Sequence, residues 1–459
     1  MIYIQTLLYL FAIVYLVVWI CFMQDVFSLP PGKALLQLLI PITTGFVIMM
    51  IIDFADLIIA RMLSNEAVAI LAICYPIIYL MLAIGIGLNQ GLTIVGTEAF
   101  VRKGRAELYS VLVQALFLAM ILTLFIQFMI FICIHYKWIS VSFLPYLNEI
   151  KCYLYIVVSG VFPVFSVLLL YSLCQIEGKL YIIRDTLVFM FLLTVCLHPL
   201  IVFPIGLNLK INGIAISKIV VCALGAIYAA CRIICWKTFF STQLTLDLTK
   251  VKKLSAQVFP AIVIQMLVPC YLLFLTKLVA LQGIEATAAF SLGYRIVMVV
   301  VIPILGAMIA LMVMVAHDFL LQKYDRIKET VKLCLFWGSL SIFSTLCLTY
   351  FASYWIFYAC DALSDVEWGA LGYIKKAIFF TTMEFIIGVI TVSFQALRKP
   401  LIAFFIASCR TLLIPLPVFY YLSLGNYPIY QIWNILTICF SVSCIIAISF
   451  SYHLLWKKY

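Results

Sequence analysis

The stretch LLIPITTGFVIMMIIDFADLIIARMLSNEAVAILAICYPI, residues 38–77, decides how the rest of the chain is read. Two long apolar runs flank a short polar break at 61–66, and two carboxylates, Asp53 and Asp56, lie inside the first run. An apolar run of about 20 residues crosses the hydrocarbon of a bilayer as a helix. A carboxylate inside such a helix costs ~2.5–3.5 kcal/mol on insertion scales, so it usually faces a polar cavity and has a task.

Working outward, the same pattern fills the chain. Apolar segments fall near 3–23, 34–59, 67–97, 108–134, 146–175, 186–206 and 212–235. After a more polar stretch at 237–255 they resume near 256–281, 287–316, 329–359, 370–396, 400–424 and 429–455. The 459 residues are 67% apolar and 10% charged, with a mean hydropathy of +1.23. A soluble domain needs more polar residues to cover its surface. The weak ten-residue alternation of an outer-membrane barrel is absent. Helices satisfy every backbone group inside one lipid-exposed segment, so the expected class is an all-α polytopic membrane protein.

The net charge of +11 sits in short loops. Arg102, Lys103, Arg105, Lys179, Arg184, Lys250, Lys252, Lys253, Lys323, Arg326 and Lys328 fall on one side, which the positive-inside rule makes cytoplasmic together with the C-terminus. No exposed basic domain is left to bind nucleic acid. The 16 cysteines are scattered through apolar segments without CxxC or Cys/His spacing, so no metal site is expected and packing is their role. The first segment, within residues 1–31, has no Lys or Arg before its apolar run and reads best as an extra span; a cleaved or interfacial segment is the alternative.

Sliding the chain by 219 residues sets Lys33 on Lys252, Pro41 on Pro260, Glu66 on Glu285, Tyr75 on Tyr294 and Gly87 on Gly306 without a gap. Six spans separate the copies, and an even number gives both copies the same orientation. Such parallel repeats are related by an axis along the membrane normal in several secondary transporters. The expected organisation is a first lobe at 32–236, a linker at 237–255 and a second lobe at 256–459, two six-helix bundles related by a pseudo-twofold axis. No GxxxxGK[ST] loop is present to hold a nucleotide.

Residues 38–77 resemble the first two helices of the multidrug and toxic compound extrusion (MATE) family, with Pro41 and Asp56 at the family's spacing. Arg61 and Ser64 stand where the family has glycines. GIGLNQGLTIVGTEAFVRKGRAE (85–107), AHDFLLQKYDRIKE (316–329) and FQALRKPLIAFFIASCRTLLIPLPVFYY (394–421) resemble further family segments, so the likeness spans about 32–455. It implies an antiporter that exports amphipathic organic, chiefly cationic, compounds by alternating access. The exchanged ion would be a proton before sodium, with no cofactor beyond that gradient. The protein would be a monomer in the cell (inner) membrane and not an enzyme.

The resemblance makes Asp56 the coupling carboxylate and Pro41 a hinge. Asp53, three residues earlier, shares its face. Where the family has Asn-x-x-x-Asp before Pro-Leu, TVCLHPLIVF (194–203) supplies Thr194 and His198. His titrates near neutral pH and can carry a proton. Val268 replaces a glutamate of the family's sodium-coupled branch. Glu384, inside its span, is a further candidate, with Arg410 as a structural partner on the plainer reading. Asn89 and Gln90 either line the cleft or bond neighbouring helices. Three other functions stay open: a lipid-linked oligosaccharide flippase, a membrane enzyme using Asp53 and Asp56 to hold a metal, and a scaffold that transports nothing.

Overall fold

The computed structural model describes residues 29–135, 147–204, 206–241, 246–359, 365–425 and 427–453. The extra segment expected at 3–23 lies outside them. The described residues hold no strand. Helices α1 (Pro31–Leu63), α2 (Asn65–Lys103), α3 (Arg105–His135), α4 (Leu147–Ser159), α5 (Val161–Ile176), α6 (Leu180–Val202) and α7 (Lys210–Ile233) come first. A short α8 (Trp236–Ser241) precedes α9 (Leu248–Ala280), α10 (Ile284–Leu320), α11 (Tyr324–Ala359) and α12 (Asp365–Ala396). Then α13 (Pro400–Ser408), a π-helical turn at Cys409–Leu413, α14 (Pro415–Ser423) and α15 (Ile429–Ser451) complete the chain.

Among the described residues, eleven helical stretches are long and apolar enough to span a membrane, and α4 with α5, bent by 41°, makes a twelfth. That bend falls at Gly160, with Pro163 in the first turn of α5, where a missing N–H costs nothing. α13, the π turn and α14 together form one span. The many exposed Phe, Trp and Leu side chains, such as Phe125, Phe128, Trp337 and Trp355, suit a lipid surround.

Two helix starts are fixed by side-chain caps and not by hydropathy. Ser64 is extended and its hydroxyl accepts from Ala67 N at 3.1 Å, which ends α1 and starts α2 at once. α9 begins at Leu248, eight residues before the apolar run. Asp247 accepts from Thr249 N and Thr249 Oγ1 at 2.9 and 2.6 Å, so it caps two polar turns that extend the helix. Those Thr249 bonds hold the Asp247 carboxyl below its usual range.

The chain packs as two compact units. One contains Ile40–Ile262; the other contains Val263–Tyr459 and takes the start of α1, up to Leu39. Both α1 and α9 therefore change unit along their length, and Pro41 and Pro260 each lie within two residues of the change. In the first unit, Gly87 and Gly91 of α2 receive the start of α9. A β-carbon on Gly87 would stand 2.6 Å from Ile262 N, and one on Gly91 would stand 2.7 Å from Val258 Cα. This small-xxx-small seat lets two backbones touch. The core of the second unit runs through a chain of rings: Phe290–Tyr373 at 5.2 Å, Tyr373–Trp433 at 5.0 Å, Tyr373–Phe380 at 5.6 Å and Phe380–Phe440 at 5.8 Å.

Candidate functional site

Asp53 and Asp56 lie on one face of α1, about two turns from its end. Asp56 is 7% exposed, and each of its oxygens has a partner. His198 Nε2 lies 2.8 Å from Oδ1, and Lys218 Nζ donates to Oδ2 at 2.9 Å. The same Nζ donates to Asp53 Oδ1 at 2.8 Å. Ser217 closes the set, with its Oγ 3.2 Å from His198 Nδ1 and donating to Ile214 O at 3.0 Å. One ammonium thus bridges two carboxylates, and one buried imidazole, 1% exposed, joins the deeper carboxylate to a hydroxyl.

Local sequence brings these groups to one level. His198 precedes Pro199, whose ring removes a helical donor near the end of α6. The connection to α7 then folds back, with Leu207 N donating to Leu200 O at 2.9 Å and Leu209 N to Ile201 O at 3.0 Å. Asn208 and Lys210 take positive φ of 51° to make this turn. Gly213 lets α7 press on α6, for a β-carbon there would stand 3.0 Å from Ile201 O. Lys218, two turns into α7, is set opposite His198 as a result. A satellite apolar core of Ala60, Ile70, Tyr153, Val202, Ile211 and Ile214 joins α1, α6 and α7 to α2 and α4. Asp53 and Lys218 form the open side of the cluster, with side chains 55% and 39% exposed.

The hydrogens of this site can be counted. If Ser217 donates to His198 Nδ1, a neutral imidazole still donates from Nε2 to Asp56. If Ser217 instead donates to Ile214 O, a hydrogen on Nδ1 would donate to Ser217 Oγ; the Nε2–Oδ1 contact still holds one proton, and the His198–Asp56 pair as a whole carries one more. Both partners of the hydroxyl are in reach. A rotation of Ser217 is enough to exchange one of these hydrogen-bond patterns for the other.

The other sequence candidates lie apart from this cluster. Thr194 is buried one turn before His198, but its hydroxyl donates to Met190 O at 2.8 Å within its own helix. Asn89 donates to Leu168 O at 2.7 Å, and its own carbonyl accepts from Ser172 Oγ at 3.0 Å, which ties α2 to α5. Gln90 is buried beside it, with Oε1 unpaired among the described residues. Glu384 belongs to the second unit, where Oε1 lies 3.5 Å from Arg410 NH1. Pro41 sits inside α1, at its change of unit.

Sequence reading misses Lys218 and Ser217. The signal for Lys218 is present: it is the one charged residue between Lys210 and Arg232 in an apolar span. Nothing local marks Ser217, whose hydroxyl matters only because α6 lies against it.

Two similar sets of apolar helices are an architecture of membrane transporters. The MatE family model matches residues 41–204 and 260–421, so its two copies begin on Pro41 and Pro260, in the register of the internal repeat. The chain belongs to the MatE family. Solved structures agree in fold. An outward-facing multidrug resistance MATE transporter of the MOP superfamily matches with a TM-score of 0.82 at 15% identity, over 95% of this chain and 99% of that one. The bent form of the Vibrio cholerae MATE transporter VcmN matches at 0.83 and 19% identity, over 95% and 99%. A MOP superfamily transporter of Pyrococcus furiosus, described as having a binding pocket of reversed polarity that suggests a different function, matches at 0.83 and 17% identity, over 95% and 98%. A comparison with curated proteins gives no match.

Proposed function

We propose that this chain is a proton-driven exporter of amphipathic organic compounds, chiefly cations, that works by alternating access. The observation that carries the reading is the buried His198–Asp56 pair at 2.8 Å, backed by a hydroxyl able to serve either protonation state. A proton entering this pair changes the charge of a low-dielectric site by one unit. An ion drives a conformational change only through its differential affinity for the two states. Here that difference arises if one facing state keeps α1, α6 and α7 together and the other parts them. Pro41, at the place where α1 changes unit, is the natural hinge.

The basic residues at 102–105 and 323–328 support a cytoplasmic side for those segments and for the C-terminus, in a cell (inner) membrane, by the positive-inside rule. The protein would act as a monomer. The substrate class rests on the family and on the multidrug resistance transporter it resembles in fold. Transport of a cationic dye by proteoliposomes, under separate proton and sodium gradients, tests this reading. A proton gradient should drive uptake of the dye against its concentration, and Asp56→Asn should remove that drive. Export undiminished in that variant would take Asp56 out of the mechanism.

A second reading keeps the scaffold and changes the cargo. Lys218 and Arg410 are membrane-embedded cations, one in each unit, and cations favour an anionic lipid-linked cargo. Their carboxylate partners already offset them, which ranks this reading second. Loss of a cell-envelope polymer in a deletion strain, with dye tolerance unchanged, would reverse the order. A strain with neither change would favour a scaffold that moves nothing.

A further inference from the structure

A second property of the same site turns on Lys218, and it rests on the reading of that site as the coupling site. Two carboxylates one turn apart on a membrane helix attract a small hard cation, which prefers oxygen ligands. In this chain the place between them is taken. Lys218 Nζ stands 2.8 Å from Asp53 Oδ1 and 2.9 Å from Asp56 Oδ2, while His198 Nε2 holds Asp56 Oδ1. Three of the four carboxylate oxygens are therefore engaged by groups of the chain itself.

Charge leads to the same result. Two carboxylates and one ammonium leave a single negative charge, and one proton on the His198–Asp56 pair brings the cluster to neutrality. A metal ion added to the loaded cluster would make it cationic in a low-dielectric setting, which is costly. To enter, the metal must displace an ammonium that is covalently held at the site. A tethered ion gives up no translational freedom each time it binds, whereas a free one does. The second unit repeats the pattern more loosely, with Glu384 facing Arg410 at 3.5 Å and Val268 beyond any ligand role.

We propose that Lys218 is a built-in substitute for a metal coupling ion: its ammonium fills the space between Asp53 and Asp56 and closes the first unit to sodium and lithium. The proton is then the one ion this site exchanges. Lys218 acts as a specificity-determining residue, and removing it should open a sodium site.

Melting of the purified full chain in detergent tests this, with about 100 mM sodium chloride compared with choline chloride at equal ionic strength. The wild-type midpoint should be the same in both salts. Lys218→Ala and Lys218→Gln should melt higher in sodium by roughly 2 °C or more, because a ligand that binds only the native state stabilises it. Adding Asp56→Asn should abolish that rise. An equal sodium response in the wild type overturns the proposal. So does the lack of any response in both Lys218 variants when each remains monodisperse. If neither variant folds, the wild-type comparison decides alone, and dye export driven by a sodium gradient in the wild type overturns the proposal as well. The melting readout involves no transport, so it separates from the proton reading. Export that ignores Asp56→Asn sinks the latter and leaves the sodium result standing.

Discussion

The two units treat a membrane carboxylate in different ways. In the first, Asp56 is enclosed: its oxygens meet His198 and Lys218 within 2.9 Å, and those groups meet Ser217 and Asp53 in turn. In the second, Glu384 forms a single ion pair among the described residues, 3.5 Å to Arg410, and its side chain is 38% exposed. Around it lie rings, with Tyr271 and Tyr373 in its field and Phe419 and Phe440 beyond Tyr271. A buried polar network is worth its desolvation only when every member is satisfied. The Asp56 cluster of the first unit pairs its buried carboxylate and imidazole and has His198 at its centre. The second leaves Arg410 Nε without a partner among the described residues and fills its core with aromatic packing. Both units match one family model, from Pro41 and from Pro260, and the Asp56 cluster lies in the first of them.

Asp56 offers the largest test of this contrast. Asp56→Asn keeps the shape but removes the charge that Lys218 and protonated His198 need. Proton-driven dye export should fall to the background of empty vesicles, while Glu384→Gln in the same assay should retain most of its activity. Equal losses in the two variants would show that both units couple and would break the contrast. Next in size is His198→Gln. It can still donate to Asp56, yet it cannot carry a proton, so export should drop about tenfold or more while dye binding survives. Full export in His198→Gln would move the proton to another group.

Much of this architecture is legible in the sequence because the signal is local. An apolar run long enough to cross a bilayer declares itself, and the 219-residue register recurs as the spacing between the two family matches. Asp56 and His198 stand out as residues, one by its setting and one by its place before Pro199. Their contact does not, since 142 positions separate them and helix periodicity does not say which spans are neighbours. Lys218 shows the limit best. Its cost in an apolar helix is visible, but its worth depends on two carboxylates 162 and 165 positions away. The polar start of α9 reads as linker because hydropathy, and not the Asp247 cap, sets the expected boundary.

The second unit should respond weakly. Arg410→Met and Glu384→Gln each break a long ion pair, 3.5 Å, in which Arg410 is 12% and Glu384 38% exposed. Export should stay within about threefold of wild type for either variant, and the melting midpoint should move by no more than a few degrees. A sharper version pairs them: if the contact is structural alone, the double variant should be no worse than the poorer single one. A collapse of export in Arg410→Met with Glu384→Gln intact would instead give Arg410 a role with the cargo.

The smallest effect is expected at Thr194, and it tests how far the first unit's network extends. The Thr194 hydroxyl donates to Met190 O at 2.8 Å, so it is satisfied within α6 and owes nothing to His198 one turn on. Valine has nearly the same shape. Thr194→Val removes a donor and leaves a carbonyl that its own helix already serves, a change near 1 kcal/mol or less. Export should match wild type under the same proton gradient, and the melting midpoint should shift little. A loss of export beyond about threefold, with melting unchanged, would mean that the hydroxyl turns from Met190 to His198 in another state of the cycle. In that case the network that distinguishes the first unit reaches beyond Asp53, Asp56, His198, Ser217 and Lys218, and α6 contributes two of its members.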